Sequence, residues 1–343
     1  MNISQLRELI NQSLNTNIFQ NCQAIIEIDA QLIPVAESLR NYLSEGKRFR
    51  PLFALLGYLG ANGEITEETI KAVSSLEYLQ ASALIHDDLM DGSDTRRGKP
   101  AIHKQFEALH GKSFGSSAAI LIGDLALVWN EQTLHTSGIS IQAQLAVNPI
   151  HDVMRTELMA GQFLDVFEQT QRTSSIERSL KIARYKSGKY SIERPLHFGA
   201  ALATPKNLET YLEIFSDYGL PLGEAFQLRD DLLGVFGDPK ETGKPAGDDL
   251  REGKRTALIA YAYERGDVTV QKLLDQKLGS DLTTAEVIEL QEAITETGAV
   301  IHIEDLIEKL SESASDAINR NELNNSAKPL LEEMISLVTK RSR

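Results

Sequence analysis

The stretch His86-Asp87-Asp88-Leu89-Met90-Asp91 places three aspartates within five residues of an apolar, helix-forming segment. A second acidic pair, Asp230-Asp231, stands far downstream in a similar segment. On a helix that turns about 100° per residue, the first three carboxylates share one face. Like charges so close repel one another, and a divalent cation would convert that repulsion into coordination. The two clusters therefore predict a site where magnesium bridges to a phosphorylated ligand.

Two other interpretations of the first cluster compete with this one. A solvated helix face or a helix N-terminus would also explain it, but the preceding segment 81–85 is small and apolar, which suits a buried helix. A phosphohydrolase with a His-Asp metal site would need a histidine upstream. His86 is the first histidine in the chain, so that interpretation is set aside.

Composition narrows the classes of partner. The 343-residue chain is 42% hydrophobic and carries a formal net charge of −14. A strongly acidic protein is a poor partner for nucleic acid, whose phosphates demand a basic face. An anionic small molecule would have to be met by local clusters of cations and by metals.

The chain gives no sequence signal for a membrane or for export. Its apolar runs are broken by polar residues at helical spacing, so we expect no membrane span. The N-terminus lacks the basic-then-apolar layout of a signal peptide. The single cysteine, Cys22, cannot form an internal disulfide and is interpreted as a small core residue. These features favour a cytoplasmic protein.

Helical periodicity runs through most of the sequence, and strand signals are nearly absent. Apolar residues recur at three- and four-residue spacing over 26–39, 70–84, 118–128, 154–167 and 208–226. Turn residues predict loops at 92–93, 111–113, 136–138 and 237–253. We expect one all-α domain over residues 1–343, with more polar, peripheral helices from 266 to 343.

Basic residues gather at four places, where they could grip phosphates. The clusters are Gly46-Lys47-Arg48-Phe49-Arg50-Pro51, Arg96-Arg97-Gly98-Lys99, Lys186-Ser187-Gly188-Lys189, and Lys244 with Lys254 and Arg255. The first could equally be a solvated charge run before a helix that Pro51 starts. The second begins five residues beyond Asp91, which is more typical of a metal–diphosphate clamp than of an ordinary surface.

Taken in order, these motifs resemble those of the trans-isoprenyl diphosphate synthases of the polyprenyl synthetase family. The resemblance covers nearly the whole chain. It includes the Gly46-Lys47-Arg48 motif, the Asp87-Asp88-Leu89-Met90-Asp91 motif with Arg96-Arg97, the Lys186-Ser187 pair, and Phe226-Gln227 with Asp230-Asp231. Gly123-Asp124, Gly161-Gln162 and Asp165 match lesser landmarks. One aspartate motif alone is a weak signal, but this ordered set is highly specific.

The resemblance implies the fold, a cofactor and a set of roles. The fold would be a large helical bundle of the isoprenoid synthase type around a central cavity. The cofactor would be Mg2+, about three ions per site, since magnesium favours carboxylates and substrate phosphates. Metal ligands would be Asp87, Asp91 and Asp230, with Asp88 in support. Arg96, Lys186 and Lys254 would hold an allylic diphosphate, with Lys244 nearby. Lys47 and Arg50, with Gly46, Gln80 and Arg97, would hold isopentenyl diphosphate. Ser187 and Gln227 would face the developing allylic cation.

Two positions depart from the family pattern. Gln80 stands where the family often has histidine, and glutamine can donate a hydrogen bond but adds no charge. Gly234 stands where the second motif often ends in aspartate, which leaves Asp231 and Asp238 as candidates for support. We expect a modest weakening of the third metal site.

Product length is predicted from the residues one turn before Asp87. In the family the growing tail runs beside this helix, whose turn rises about 5.4 Å, close to one isoprene unit. Ser82 and Ala83 are small where farnesyl-making relatives usually carry an aromatic residue. Products should therefore exceed farnesyl, with Leu79 and Leu76 as candidate floors. The small residues could instead serve only close helix packing.

The predicted activity is condensation of isopentenyl diphosphate with an allylic diphosphate (dimethylallyl, geranyl or farnesyl). The all-trans product would be geranylgeranyl diphosphate, with a longer-chain or farnesyl product as the alternative. A class I terpene cyclase shares the first motif but would carry a different metal triad in place of Asp230-Asp231. A non-catalytic subunit of a hetero-oligomeric synthase typically loses one aspartate motif, and here both persist. The family also implies a homodimer.

Overall fold

The computed structural model describes residues 1–171, 175–203, 207–239 and 246–340. The chain forms two compact units. The first comprises Met1–Pro149, Pro195–Tyr211 and Asn324–Leu330. The second comprises Ile150–Arg194, Leu212–Leu323 and Leu331–Arg343.

Helices account for nearly all the regular structure, so the all-α prediction is confirmed. In chain order the first helices are α1 Ile3–Ile26, α2 Ile33–Leu43, α3 Phe49–Gly60, α4 Glu67–Asp91, α5 Ile102–His110, α6 Lys112–His135 and α7 Ile141–Gln169. Then come α8 Ile176–Ala183, α9 Arg194–Ala203, α10 Leu208–Phe236, α11 Asp248–Glu252, α12 Ala257–Arg265, α13 Val268–Lys277, α14 Thr284–Glu296, α15 Ala299–Ala317 and α16 Lys328–Thr339. A 3-10 turn covers Ala30–Leu32, and a two-residue hairpin pairs β1 Thr95–Arg96 with β2 Lys99–Pro100.

The first unit is built around α4, which α1, α2, α3, α5 and α6 contact. Its core contains Leu14, Leu39, Tyr78, Ile122 and Trp129, all at least nine-tenths buried. The Tyr78 hydroxyl donates to Asn17 on α1 at 2.8 Å, and its ring meets Trp129 edge-on. Because α4 is covered by helices on several sides, its last turn is held on a rigid element.

Two predicted boundaries in this unit were wrong. The periodic segment 26–39 is not one helix: α1 ends at Ile26 and α2 begins at Ile33. Asp29 accepts a hydrogen bond from the Gln31 backbone and caps the 3-10 turn between them, and Pro34 lies at the start of α2, where proline is tolerated. The predicted loop 111–113 reduces to Gly111 alone, since α6 begins at Lys112.

Among the described residues, α6 is the one helix long and apolar enough to cross a membrane, by length and composition only. In its most apolar window, 39% of the residues are buried inside the protein. Its buried side chains, among them Ile122, Ala126 and Trp129, belong to the core of the first unit. The core helix of a globular protein passes the same test. The expectation of no membrane span stays a prediction.

The second unit has its own core, formed by the later part of α10 and the helices that follow. Leu228, Leu258, Leu274, Leu290 and Ile303 are buried there. The helices beyond residue 266, predicted to be peripheral, thus supply core side chains to this unit. Thr283 and Glu286 form a reciprocal capping box at the start of α14.

A π-helical segment, Arg184–Glu193, connects α8 to α9. π-helical turns are rare and concentrate at functional sites, because they widen the helix at a cost in hydrogen-bond geometry. Ten consecutive residues in this state are unusual. The segment carries the predicted phosphate-binding pair Lys186-Ser187.

Candidate active site

The first aspartate cluster occupies the last turn of α4. Gly92 ends the helix with φ of +70°, and its N–H donates to the Asp88 carbonyl. A helix C-terminus carries partial negative charge, so carboxylates there are repelled by the helix dipole as well as by one another. The alternative of a helix N-terminus is therefore wrong. Positive charge from outside the helix is therefore needed to stabilise the three carboxylates.

Arg96 supplies part of that charge. Its Nε donates to Asp88 Oδ1 at 2.8 Å, and its Nη2 contacts the same oxygen and lies 3.5 Å from Asp87 Oδ2. The Asp88 side chain is buried, whereas that of Asp87 keeps 16% of its surface exposed. Burial alone would lower the pKa of Arg96, but the charge and hydrogen bond of Asp88 raise it above its usual value. Asp88 is thus an anchor for Arg96, and Asp87 remains partly accessible.

The upstream basic segment divides into exposed and buried side chains. Lys47 is exposed and Arg50 is half-buried, in line with a phosphate-binding role. Arg48 between them is buried and bonds to backbone carbonyls and to Glu77. Arg97, on the hairpin turn, is exposed and donates to the carbonyl of Glu45 at 2.5 Å. All of these residues lie in the first unit.

The candidate chain-length residues and the predicted substrate-binding Gln80 differ in exposure along α4. Gln80 and Ala83 are partly exposed, as is Asp87 one turn later. Leu76, Leu79 and Ser82 have no exposed surface. The accessible stripe on this helix therefore runs from Asp87 through Ala83 to Gln80.

Lys186 pairs with a carboxylate in the second unit. Its Nζ lies 2.6 Å from Asp165 Oδ2 on α7, and Ser187 beside it is buried. Gly161 on α7 allows this approach: a Cβ there would lie 2.3 Å from the Lys186 backbone nitrogen. The landmarks Gly161 and Asp165 thus hold the π-helical segment and its lysine.

Two neighbouring aspartates of the second motif have different environments. Asp230 is half-buried, whereas Asp231 is buried and accepts from Gln227 Nε2 at 2.8 Å. Burial raises the pKa of Asp231 to about 8; the Gln227 bond opposes this, and the charges of Asp249, Asp230 and Asp165 reinforce it. Asp230 is therefore the better exposed candidate for a metal ligand.

Asp249 is a residue that the sequence analysis missed. A Cβ on Gly234 would lie 1.9 Å from Asp249 Oδ2, so the Asp249 carboxylate occupies the space beside the position where the motif often has aspartate. Asp249 also lies 3.5 Å from Lys254 Nζ, which pairs with Glu252 at 2.5 Å. Asp238, proposed as support, is exposed. The signal was present in the charge-rich segment 237–253, but spacing alone could not place Asp249 against α10.

The structure thus groups the predicted residues within each unit. In the first it brings together Arg96 with Asp87 and Asp88; in the second, Lys186 with Asp165, Gln227 with Asp231, and Lys254 with Asp249. Lys244 lies outside the described residues. Within the described ranges, no three His, Cys, Asp or Glu side chains already form a metal-binding group. Magnesium needs no such cage, because it takes one or two carboxylates and completes its shell with water and phosphate.

Comparison with known proteins decides the family. The sequence profile described as polyprenyl synthetase matches residues 34–296. The chain belongs to the polyprenyl synthetase family. This confirms the predicted resemblance and the prediction of a prenyltransferase enzyme.

Individual members of the polyprenyl synthetase family resemble the chain closely. A short chain isoprenyl diphosphate synthase of Methanocaldococcus jannaschii is 31% identical over 83% of this chain and 82% of its own. A geranylfarnesyl diphosphate synthase of Aeropyrum pernix is 31% identical over 82% of this chain and 86% of its own. A crystal structure of geranylgeranyl pyrophosphate synthase from Corynebacterium glutamicum, complexed with isoprenyl diphosphate and magnesium, is 37% identical, with a TM-score of 0.95 over 100% of both chains.

Proposed function

We propose that this protein condenses isopentenyl diphosphate with an allylic diphosphate by 1'-4 coupling to give all-trans geranylgeranyl diphosphate. The observation that carries the proposal is the acidic last turn of α4, where the partly exposed Asp87 lies beside the buried Asp88 and its ion-pair partner Arg96. The family and the Corynebacterium enzyme support it. We further propose that residues 1–343 form one isoprenoid synthase domain around a central cavity, in the cytoplasm.

The proposed cofactor is magnesium, with about three ions per site. The residues fit it: Asp87, Asp91 and Asp230 offer hard carboxylate oxygens, and two of them stand at the negative end of a helix dipole. When bound, magnesium would neutralise the diphosphate and stabilise the charge that develops as it leaves. The Corynebacterium structure contains magnesium and isoprenyl diphosphate, which supports this choice.

The proposed roles of the remaining residues follow from charge and exposure. Arg96, Lys186 and Lys254 would hold the allylic diphosphate, and each already lies beside a carboxylate that orients it. Exposed Lys47, with Arg50 and Arg97, would hold isopentenyl diphosphate, with Gly46 and Gln80 alongside. Lys244 would join the allylic group. Ser187 and Gln227 would face the allylic cation.

The reaction needs stabilisation of the negative charge on the diphosphate and exclusion of water from the carbocation. Breaking the allylic carbon–oxygen bond leaves a carbocation and a diphosphate anion, and fixed cations such as Arg96 stabilise that anion. The alkene of isopentenyl diphosphate then forms the new carbon–carbon bond, and a proton leaves, with the departing diphosphate as its acceptor. An apolar wall must exclude water from the cation. Ala83 and Leu84, partly exposed on α4, would form part of it.

Geranylgeranyl diphosphate is the proposed product because the small Ala83 lies partly exposed one turn before Asp87 and leaves room there for a tail longer than farnesyl. A longer product is the second candidate, favoured by the similarity to a geranylfarnesyl diphosphate synthase. The absence of an aromatic residue at positions 82 and 83 argues against farnesyl diphosphate. A non-catalytic subunit is disfavoured since both aspartate motifs persist, the second with Gly234 at its last position.

The deciding experiment measures product formation directly. Labelled isopentenyl diphosphate is incubated with dimethylallyl, geranyl or farnesyl diphosphate, and the dephosphorylated products are separated by chain length. We expect a twenty-carbon product that disappears with EDTA and returns with magnesium. Asp87→Ala should lower turnover by roughly two orders of magnitude or more, because it removes a proposed metal ligand and leaves the charge of the diphosphate uncompensated. A rate of condensation that is unchanged by EDTA and by this substitution would refute the metal assignment.

A further inference from the structure

Arg48 is buried within a basic segment whose other members are accessible. It is 3% exposed and has four acceptors around its guanidinium group. Nε donates to Asn11 Oδ1 at 2.9 Å, Nη1 donates to Glu77 Oε2 at 2.6 Å and to the Glu45 carbonyl at 3.3 Å, and Nη2 donates to the Leu43 carbonyl at 2.5 Å. The planar fork of arginine can satisfy several acceptors at once, which lysine cannot do. A side chain so enclosed is not available to a substrate.

The same stretch of backbone also accepts from the β1–β2 hairpin. Arg97 Nη1 donates to the carbonyls of Glu45, at 2.5 Å, and Tyr42, at 3.3 Å. The Glu45 carbonyl is therefore shared by two guanidinium groups, those of Arg48 and Arg97. The carbonyls of Tyr42, Leu43 and Glu45, which lie shortly before Lys47, thus accept from Arg48 or Arg97.

The backbone conformation of Arg48 fixes the direction of the segment. Arg48 has φ of +56°, a left-handed conformation that is strained for a residue with a Cβ. Its carbonyl accepts from Leu52 N–H at 3.0 Å and so starts α3. Lys47 lies just before this turn, and Arg50 lies in the first turn of the helix. The rotation at Arg48 thus sets how these two cations point relative to each other.

The ion pair between Arg48 and Glu77 fixes the geometry of the basic segment more than it stabilises the fold. Both side chains are nearly buried, at 2% and 6% exposed. Taking two charges out of water costs much of the free energy that their attraction returns. Well-packed apolar residues at the same positions often give equal stability. A buried pair with directional hydrogen bonds does, however, specify one arrangement. Glu77 lies on α4, the helix that carries Asp87, so the pair links the basic segment to that helix.

We propose that Arg48 is a positioning residue for isopentenyl diphosphate: it holds Lys47 and Arg50 in their binding geometry without touching the substrate. The inference rests on the proposed function and deepens it. Lys47 and Arg50 supply the charge, and Arg48 supplies the arrangement.

Two variants of Arg48 separate its side chain from its backbone. Arg48→Gly relieves the left-handed strain and deletes every side-chain bond. Arg48→Lys loses the planar fork but keeps a positive charge opposite Glu77. This variant should therefore stay folded even if Arg48→Gly does not. In both we expect the KM for isopentenyl diphosphate to rise about tenfold or more, with the KM for the allylic primer changed less than about twofold. Asn11→Ala, which removes one acceptor, should give a smaller shift in the same direction.

Calorimetric titration of isopentenyl diphosphate supplies a readout independent of turnover, and it should show the same weakening. Lys71→Ala is the matched control, because it removes an exposed bond on the same helix as Glu77, from Nζ to the Thr136 carbonyl at 2.6 Å. Equal loss for both substrates, or a lower melting temperature with unchanged KM values, would mean that Arg48 is merely structural. A wild-type protein that neither binds nor consumes isopentenyl diphosphate would instead overturn the proposed function.

Discussion

At the residue scale, Ser82 and Ala83 were interchangeable in the sequence and are distinct in the structure. Ala83 is partly exposed on the stripe that leads to Asp87, whereas Ser82 has no exposed surface. Ala83→Phe should therefore place a ring in the path of the tail and shorten products toward farnesyl diphosphate. Ser82→Phe should instead strain a filled site, at a cost of about 1–3 kcal/mol.

Chromatography of dephosphorylated products and urea unfolding check this pair of variants. Leu79→Ala tests the predicted floor: a longer product would place the tail against this buried side chain, whereas a loss of about 2–5 kcal/mol in stability with an unchanged product would make Leu79 a packing residue only. An active Ala83→Phe enzyme with an unchanged product distribution would show that the tail runs elsewhere.

Gly234 and Asp249 should behave as a coupled pair. Gly234→Asp alone puts a Cβ 1.9 Å from Asp249 Oδ2 and crowds two carboxylates. We expect a loss of about 1–3 kcal/mol in unfolding free energy. Combining it with Asp249→Ala should recover most of that loss and restore a carboxylate near the second motif. Thermal unfolding of both single variants and the double variant gives the coupling energy, and simple additivity would contradict the close contact.

At the scale of the element, the charges around the π-helical segment give a pH prediction. Burial acts to raise the pKa of Glu157, but hydrogen bonds from Arg194 and Lys189 outweigh it and hold that pKa below its ordinary value of 4.5. Its folded pKa thus lies below its unfolded pKa. The stabilisation is present above about pH 4.5 and is lost as the pH falls through the folded value.

Glu157→Gln should destabilise the protein at pH 7 by about 1.5–3 kcal/mol, because Arg194 and Lys189 lose their shared carboxylate and keep only the longer contacts to Glu193. The difference from wild type should shrink as the pH falls below about 4.5. Urea unfolding at a series of pH values measures it. Glu177→Gln, on the neighbouring α8, is the control. A difference that stays constant with pH would contradict a lowered pKa for Glu157 in the folded protein.

Much at this scale was predictable from the sequence, and the failures have physical causes. Apolar spacing located α4, α6, α7 and α10, because one buried face repeats along each, but the predicted segments covered less than half of α6 and of α7. Apolar spacing did not reveal the break between α1, which ends at Ile26, and α2. The spacing of apolar residues continues through the 3-10 turn that Asp29 caps. It also missed the π-helical state of Arg184–Glu193 and the contact of Asp249 with Gly234. Those depend on close approach between segments distant in sequence.

At the scale of the whole molecule, we propose that the apolar surface of α6 carries the interface of the homodimer that the family implies. Leu121 is 67% exposed and Val128 is 59% exposed, and both are apolar side chains on one long helix. A second copy packed against this helix would bury them. Leu121→Glu should then convert a dimer to monomers, because an unpaired charge would be buried at the interface.

Light scattering with size-exclusion chromatography measures the mass of each variant. Ile28→Glu is the matched control, since Ile28 is an equally exposed apolar side chain, at 75%, and belongs to the segment between α1 and α2 and not to α6. A wild-type monomer, or a Leu121→Glu protein that remains dimeric, would contradict this placement of the interface.

The π-helical segment also affects how this chain is compared with its relatives. A π-turn spans one more residue than an α-turn for each hydrogen bond it closes. Ten residues in that state therefore hold a local surplus over the α-helical path between the same end points. Relatives with an α-helical connection there would be shorter by a residue or two. An alignment should open its gap between 184 and 193, and a gap placed elsewhere would shift Lys186 and Ser187 out of register with their counterparts.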